Sequence, residues 1–461
     1  MPADYDFVII GYSETGIYAA IEAARKRARV AIVEQNCQPK ISSSRILAQF
    51  AKAIDQTSRW FFDADVKLRL EAVNRYTNAI AQSHEEFYDR ARLEGLGIEF
   101  ISGSGEFCRK PQTGFTVKGR ILRSRAYLIA TDYTPIVSEM VSGSGVEFLT
   151  PNSVITKIPE SIVIIGDDPI GVEFAQLYAR FGAQVTMLIR QPHLLSMADL
   201  ETAFLVQAAL EAEGIRVINT LHIREVCQNG NRKRIEIENY AIETDELLIT
   251  AGWQQNVSSL NLQALDIDSP IQLNDRLQTN HPRVYWITHP VQSIARYQTD
   301  VVLKNLSLLP IFKVDYDRVV QSVATNPEFA WIGLTETQAI RRYRRGVMIL
   351  RLPFNVLTQA QITGATTGLL KLIVRRNGQI LGAHIVGENA IDLIHLISFA
   401  MSENLKVQFF DRFSYASPTF AEIFRNAAHE YRKLQRNHFL QDLQESYFAW
   451  QRGRTNLERR S

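Results

Sequence analysis

The residues best placed to do chemistry in this chain lie in two glycine turns, each between an apolar strand and a helix. The first is Asp6-Phe-Val-Ile-Ile-Gly11-Tyr-Ser13-Glu14-Thr-Gly16, running on to Val30-Ala-Ile-Val-Glu34. The second is Ser161-Ile-Val-Ile-Ile-Gly166-Asp-Asp168-Pro-Ile-Gly171-Val-Glu173, running on to Val185-Thr-Met-Leu-Ile-Arg190. Such a turn aims backbone N–H groups and the positive end of a helix at one point, which suits the pyrophosphate of a dinucleotide. Gly11 and Gly16 shape one turn; Gly166 and Gly171 shape the other. The position between them, small so that phosphate can approach the backbone, is Ser13 in one copy and Asp168 in the other. Serine costs little there, whereas an ionised Asp168 beside Asp167 adds bulk and like-charge repulsion against a dianion. Glu34, at a strand end, is placed to bond ribose hydroxyls. Arg190, at the matching end in the second copy, is the type that favours a 2′-phosphate, so NADPH is the better fit if a nicotinamide nucleotide binds.

The elements that must hold these turns follow from periodicity. Residues 1–34 read as strand, Ala-rich helix and strand, and 43–96 carry apolar residues at helical spacing. Short Gly-rich strands follow, ending in Ala126-Tyr-Leu-Ile-Ala130-Thr131-Asp132. After the second strand-turn-helix unit come a strand at Glu246–Thr250, another at Arg283–Ile287, and a helix. From about residue 325 the pattern changes to antiparallel strands with two helices. The only internal repeat is the strand-turn-helix-strand unit, a duplicated nucleotide fold.

Composition narrows the class. The 461 residues allow roughly two to four domains. A hydrophobic share of 46% and a charged share of 22% are those of a soluble globular protein. A formal charge of +2 gives no global attraction to nucleic acid or membrane. Three widely spaced cysteines, Cys37, Cys108 and Cys227, exclude a disulfide framework and a thiolate metal site, and the nine histidines show no metal-ligand spacing. With no signal peptide and no apolar run long enough to span a membrane, a cytoplasmic location is expected.

In this order of segments the chain resembles the FAD- and NAD(P)H-dependent pyridine nucleotide-disulfide oxidoreductases, the family of dihydrolipoamide dehydrogenase, glutathione reductase and mercuric reductase. The most specific stretches are Trp331-Ile-Gly-Leu-Thr-Glu-Thr-Gln-Ala339, Leu381-Gly-Ala-His-Ile-Val-Gly387 and Pro418-Thr-Phe-Ala-Glu422. The resemblance implies an α/β fold with two Rossmann-like nucleotide-binding domains and a C-terminal α+β dimerisation domain. An FAD-binding-type domain would fill 1–150 and 266–320, an NAD(P)-binding-type domain 151–265, a dimerisation domain 321–430, and a tail 431–461.

The family's chemistry needs two cysteines four residues apart before Pro-Ser-Lys. Here Ser43-Ser44-Arg45 occupies the Pro-Ser-Lys place, which puts Asn36 and Ile41 where the thiols belong. Cys37 is one place out of register, and a single thiol cannot cycle between dithiol and disulfide. The family's His-Pro base pair reads Ser417-Pro418, and serine accepts no proton near neutral pH. Glu422, which in relatives would orient the imidazole, is left without that partner. Disulfide reduction is therefore expected to be absent, and no residue is assigned a catalytic role.

The residues divide over FAD. Gly11, Ser13, Gly16 and Glu34 favour it; Glu14 in the turn opposes it, as does Tyr285-Trp286-Ile-Thr288-His289 in place of the family's Tyr-Ala-x-Gly-Asp. His289 is a candidate phosphate partner. Glu173 matches the family glutamate that pairs with the lysine beside the flavin, so an Arg45–Glu173 ion pair is expected. Gly166, Gly171 and Arg190 are the candidate NAD(P) residues, opposed by Asp168. Three functions stay open: a non-catalytic or weakly catalytic dimer acting as scaffold or assembly factor, an FAD-dependent NAD(P)H oxidoreductase with a non-disulfide acceptor, and a nucleotide sensor. A homodimer through 321–430 is implied. The tail holds seven Lys/Arg against three acids, with Leu440, Leu443, Tyr447 and Trp450 at helical spacing. It could pack on its own dimer, bind a protein or meet an acidic surface. No nucleic-acid site is expected; Arg341-Arg-Tyr-Arg-Arg345 reads as a solvated helix face.

Overall fold

The computed structural model describes residues 3–37, 46, 70–109, 113–153, 155, 157–220, 222–238, 240–268, 270–307, 309–435 and 447–448. The chain divides into two compact units, Met1–Asn326 and Pro327–Ser461.

The first unit holds two parallel sheets built the same way. Strand β1 (Tyr5–Ile10) leads through the first turn into α1 (Glu14–Arg25) and β2 (Val30–Val33). Helices α2 (Leu70–Phe87) and α3 (Arg90–Gly95) follow, separated where Asp89 caps α3 by accepting from the Arg92 N–H. Then come β3 (Ile98–Ile101), a meander β4 (Gly105–Cys108), β5 (Gly114–Val117) and β6 (Arg120–Leu122), and β7 (Ser124–Ile129). The short β8 (Tyr133–Pro135) and α4 (Glu139–Ser142) lead to the second turn. That turn joins β9 (Ser161–Ile165) to α5 (Pro169–Arg180) and β10 (Gln184–Ile189). Next are α6 (Leu200–Ala212), β11 (Arg216–Asn219), a meander of β12 (Ile223–Asn229), β13 (Arg232–Ile237) and β14 (Tyr240–Thr244), and β15 (Glu246–Ile249). Strand β16 (Trp253–Gln255) pairs back with β8, and β17 (Val284–Trp286) precedes α7 (Gln292–Ser307).

The strand orders are β17-β7-β1-β2-β3 and β11-β10-β9-β15. The late strand β17 thus returns to the first sheet, beside β7. Strands buried on both faces explain the unbroken apolar runs Phe-Val-Ile-Ile and Val-Ala-Ile-Val. Alternate residues divide between two cores: Phe7 and Ile9 join α1 through Ile17, Ala20 and Ala23, whereas Val8 and Ile10 join Phe107, Phe115 and Tyr127 beneath the meander. The small Ala face of α1 lets the helix lie close on the sheet. In each sheet the first strand (β1, β9) has its successor on one side and a later strand on the other, so a crevice opens beyond the carboxyl ends. Both glycine turns sit there.

The second unit is an antiparallel sheet in the order β18 (Glu328–Gly333), β21 (Ile380–Gly387), β20 (Leu369–Arg375), β19 (Val347–Pro353). Helix α8 (Glu336–Tyr343) opens on a capping box between Thr335 and Gln338; α9 (Thr358–Ile362), α10 (Ala390–Ser402) and α11 (Glu422–Gln435) complete the unit. Buried Ile423, Phe424, Ala427, Ala428 and Tyr431 give α11 its inner stripe. His384 fills a wholly buried position on β21, its Nε2 3.3 Å from the Leu334 carbonyl. No described helix is long and apolar enough to cross a membrane. Of the tail expected to form an amphipathic helix, Leu440, Leu443 and Trp450 lie outside the described residues, as does most of 43–69.

Candidate functional site

At the first turn, Gly11 has φ +119° and packs on the Ala130 carbonyl, which a side chain would strike; one at Gly16 would strike the Gly11 carbonyl. Ser13 is the N-cap of α1. Its hydroxyl accepts from the Gly16 N–H at 3.1 Å and donates to the Ala130 carbonyl at 2.6 Å. The side chain is thereby folded into the turn, leaving the helix N-terminus open to an anion. Glu34, at the end of β2, accepts from the Gly103 N–H at 2.8 Å. Glu14 does not oppose an anion as an isolated charge: Arg296 of α7 pairs with it at 3.0 Å. Helix α7 is fixed against α1 by the Tyr18–Asp300 hydrogen bond of 2.9 Å and by the Arg296 guanidinium over the Tyr18 ring.

Between these elements lies a cavity of about 590 Å³, lined among others by Ser13, Thr131, Glu173, Gln292 and Arg296. Three of the lining residues each bury a polar atom, Thr131 Oγ1, Gln292 Nε2 and Arg296 Nε, that has no hydrogen-bond partner among the described residues. Thr131 is only 2% exposed. Unsatisfied groups in a buried cavity cost about 1–3 kcal/mol each, and a ligand bearing acceptors removes that cost. Donor-bearing side chains that share a cavity with a helix N-terminus suit a diphosphate, and the cavity's size suits a fused-ring ligand. These residues fit FAD. Gln292 and Arg296 were missed in the sequence; their i, i+4 spacing on the helix following β17 is the signal that could have found them.

His289 does not provide the positive charge expected of a phosphate partner. Burial pushes its pKa down to about 4, and its Nδ1 accepts from the Val291 N–H at 3.1 Å, so the ring is neutral. Cys37 is 3% exposed. Its thiol donates to the Gln35 carbonyl (3.3 Å) and accepts from the Asp132 N–H (3.4 Å). Burial, reinforced by the Asp132 charge, pushes that thiol up to about 12. Asn36 stands beside it with φ +53°. Ile41, Ser43, Ser44 and Arg45 lie outside the described residues, and with them the expected Arg45–Glu173 pair. Glu173 is buried and accepts from the Ala324 N–H at 2.8 Å. In the second unit Ser417 is exposed, and Glu422 has a partner after all: its carboxylate accepts from the Thr419 N–H at 3.0 Å, capping its own helix.

The second turn repeats the first. Gly166 has φ +133° and packs on the Thr250 carbonyl as Gly11 does on Ala130, and Gly171 abuts the Thr250 hydroxyl. Asp168 takes the place of Ser13. It does not stand in the turn as loose bulk: it caps α5, Oδ1 accepting from the Gly171 N–H at 2.7 Å and Oδ2 from the Trp253 indole N–H at 3.3 Å. Burial pushes it up to about 6 against the pull of the Gly171 amide and the Trp253 indole. Asp167 is also raised by burial, offset by the nearby Arg190 and His193. Arg190 is exposed at the end of β10.

A family model described as pyridine nucleotide-disulphide oxidoreductase matches residues 5–299, and one for the dimerisation domain of that family matches 319–428. Mercuric reductase of Staphylococcus aureus is 29% identical over 88% of this chain and 78% of its own length. Dihydrolipoyl dehydrogenase of Chlamydia pneumoniae is 25% identical over 93% of this chain and 97% of its own. Among solved structures, LpdA from Mycobacterium tuberculosis superposes with a TM-score of 0.82 at 19% identity, covering 92% of this chain and 99% of its own. The HOCl-induced flavoprotein disulfide reductase RclA from Escherichia coli gives 0.77 at 22% identity, with coverages of 92% and 99%. At these identities the structural likeness speaks for the fold.

Proposed function

The chain belongs to the pyridine nucleotide-disulphide oxidoreductase family, and we propose that it is a member that holds FAD in its first nucleotide fold but reduces no disulfide. The observation that carries this reading is the state of Cys37. Dithiol–disulfide exchange needs a thiolate and a second sulfur to resolve the mixed disulfide. The Cys37 thiol is buried, hydrogen-bonded and pushed up to about 12, and Cys108 and Cys227 belong to β4 and β12.

FAD, when bound, supplies a ring that takes up and releases electrons. The chain's own residues would bind and orient it: the α1 N-terminus, Gln292 and Arg296 would hold its diphosphate, Glu34 its ribose, and Thr131 would donate to an acceptor of the ligand. Glu14 holds Arg296 in place. Without a thiol relay, electron transfer is confined to donors and acceptors that reach the cavity directly, which makes turnover slow and its acceptor something other than a disulfide. Residues 321–430 are proposed to form the homodimer contact. One observation favours the scaffold reading beside this one: the second turn is capped by a carboxylate where a nucleotide diphosphate would approach. The basic segment 431–461 is then the docking element for a protein partner or acidic surface. Purified protein should show flavin absorbance near 450 nm, and NAD(P)H with glutathione disulfide or lipoamide should give no turnover. Colourless protein that takes up no added FAD, or reduction of either disulfide, removes the reading.

A further inference from the structure

The two turns of the first unit share one backbone plan, and one of the chemical differences between them falls at the cap. In the first, a neutral hydroxyl (Ser13) accepts from the amide three residues on, at 3.1 Å. In the second, a carboxylate (Asp168) accepts from the equivalent amide at 2.7 Å, and its other oxygen is held by Trp253. A helix N-terminus attracts an anion because its first N–H groups have no intrahelical partner and the dipole ends positive there. At α5 the chain supplies that anion itself.

We infer that Asp168 is a built-in occupant of the nucleotide-diphosphate site of the second fold, and that it decides whether a nicotinamide dinucleotide binds there: the ligand enters only when this carboxylate is neutralised. The charges around it favour the same conclusion. Asp167, the neighbouring residue, is a second carboxylate that repels an incoming dianion. Arg190 and His193 act on Asp167, and the groups bonded to Asp168 from the β15–β16 side, the Thr250 hydroxyl and the Trp253 indole, are uncharged donors. Among the described residues, no cation bonds to Asp168. Trp253 holds the carboxylate in its inward rotamer, so the turn cannot open by simple rotation of the side chain without losing an indole hydrogen bond.

The test is equilibrium binding of NAD⁺, whose diphosphate does not titrate near neutrality, to the purified full chain by calorimetry at pH 6.0 and 8.0. With Asp168 titrating at about 6, half the molecules are neutral at pH 6.0 and about one in a hundred at pH 8.0, so affinity falls about 50-fold between them. Asp168→Asn keeps the shape and the acceptor for the Gly171 N–H while removing the charge. It should bind NAD⁺ equally at both pH values, at least as tightly as the wild type at pH 6.0. Asp168→Gly, which clears the cap altogether, should do the same, and thermal unfolding of both variants verifies that each is folded. Wild-type affinity that does not change with pH overturns the inference. So does an Asn variant no tighter than the wild type at pH 8.0, or failure of every variant to bind NAD⁺. None of these outcomes bears on FAD content or disulfide turnover, so this inference and the proposed function stand or fall separately.

Discussion

Replacing Arg296 with alanine separates the phosphate end of the first cavity from its ring end. In the wild type, Arg296 pairs with Glu14 at 3.0 Å, lines the cavity and carries a buried Nε with no hydrogen-bond partner among the described residues. Its loss removes one charge-assisted donor to a diphosphate, worth about 1.5–3 kcal/mol, or about 10- to 150-fold in affinity. It also leaves Glu14 without its cation beside the same diphosphate. That pair is partly exposed, its side chains 43% and 19% accessible, so its further share is about 0.5–1 kcal/mol after screening. Arg296→Ala should therefore weaken FAD binding about 30- to 900-fold. Adding Glu14→Gln should restore the smaller part, because the uncompensated carboxylate is gone. The assay is flavin-fluorescence titration of protein stripped of flavin, run in parallel with riboflavin, which has the ring and no phosphate. Riboflavin affinity should change less than about threefold. Equal losses for FAD and riboflavin, or no loss for either, would refute the assignment of Arg296 to the diphosphate.

The thiol of Cys37 should resist alkylation. Held near 12, it is ionised to about one part in ten thousand at pH 8, so iodoacetamide labelling followed by mass spectrometry should mark Cys108 and Cys227 well before Cys37. Cys37→Ala should leave flavin content intact. Gly11→Ala places a side chain at φ +119° against the Ala130 carbonyl, a cost of about 3 kcal/mol that urea unfolding should register together with loss of FAD. His289 has a folded pKa of about 4, below the unfolded 6.5, so its contribution is present above pH 6.5 and lost as pH falls toward 4. The wild type should lose up to about 3 kcal/mol more stability from this source between pH 7 and 4 than His289→Gln does, by denaturant titration at each pH.

The duplicated turns were legible because strand hydrophobicity and glycine spacing are local. Their chemistry was less so. Ser13 and Asp168 read as damaged glycines, yet serine and aspartate are strong N-caps, and each stands three residues before a glycine whose amide it accepts. That spacing is visible in the sequence; the inward rotamer that it produces is not. Glu422 carried a similar signal, since Thr419 three residues earlier completes a cap spacing. The Glu14–Arg296 pair had no such trace, because 282 positions separate its members and only the packing of α7 on α1 brings them together. His289 was legible as a histidine but not as a neutral one, because its charge is set by burial that the sequence does not display.

Counting electrons tests the central claim most directly. A family member that has a dithiol beside its flavin accepts four electrons per subunit, two into the ring and two into the disulfide. Anaerobic dithionite titration of this protein, followed by flavin absorbance and by thiol counting before and after, should end at two electrons per subunit with no new thiols. An endpoint of four, with two thiols gained, would contradict the account.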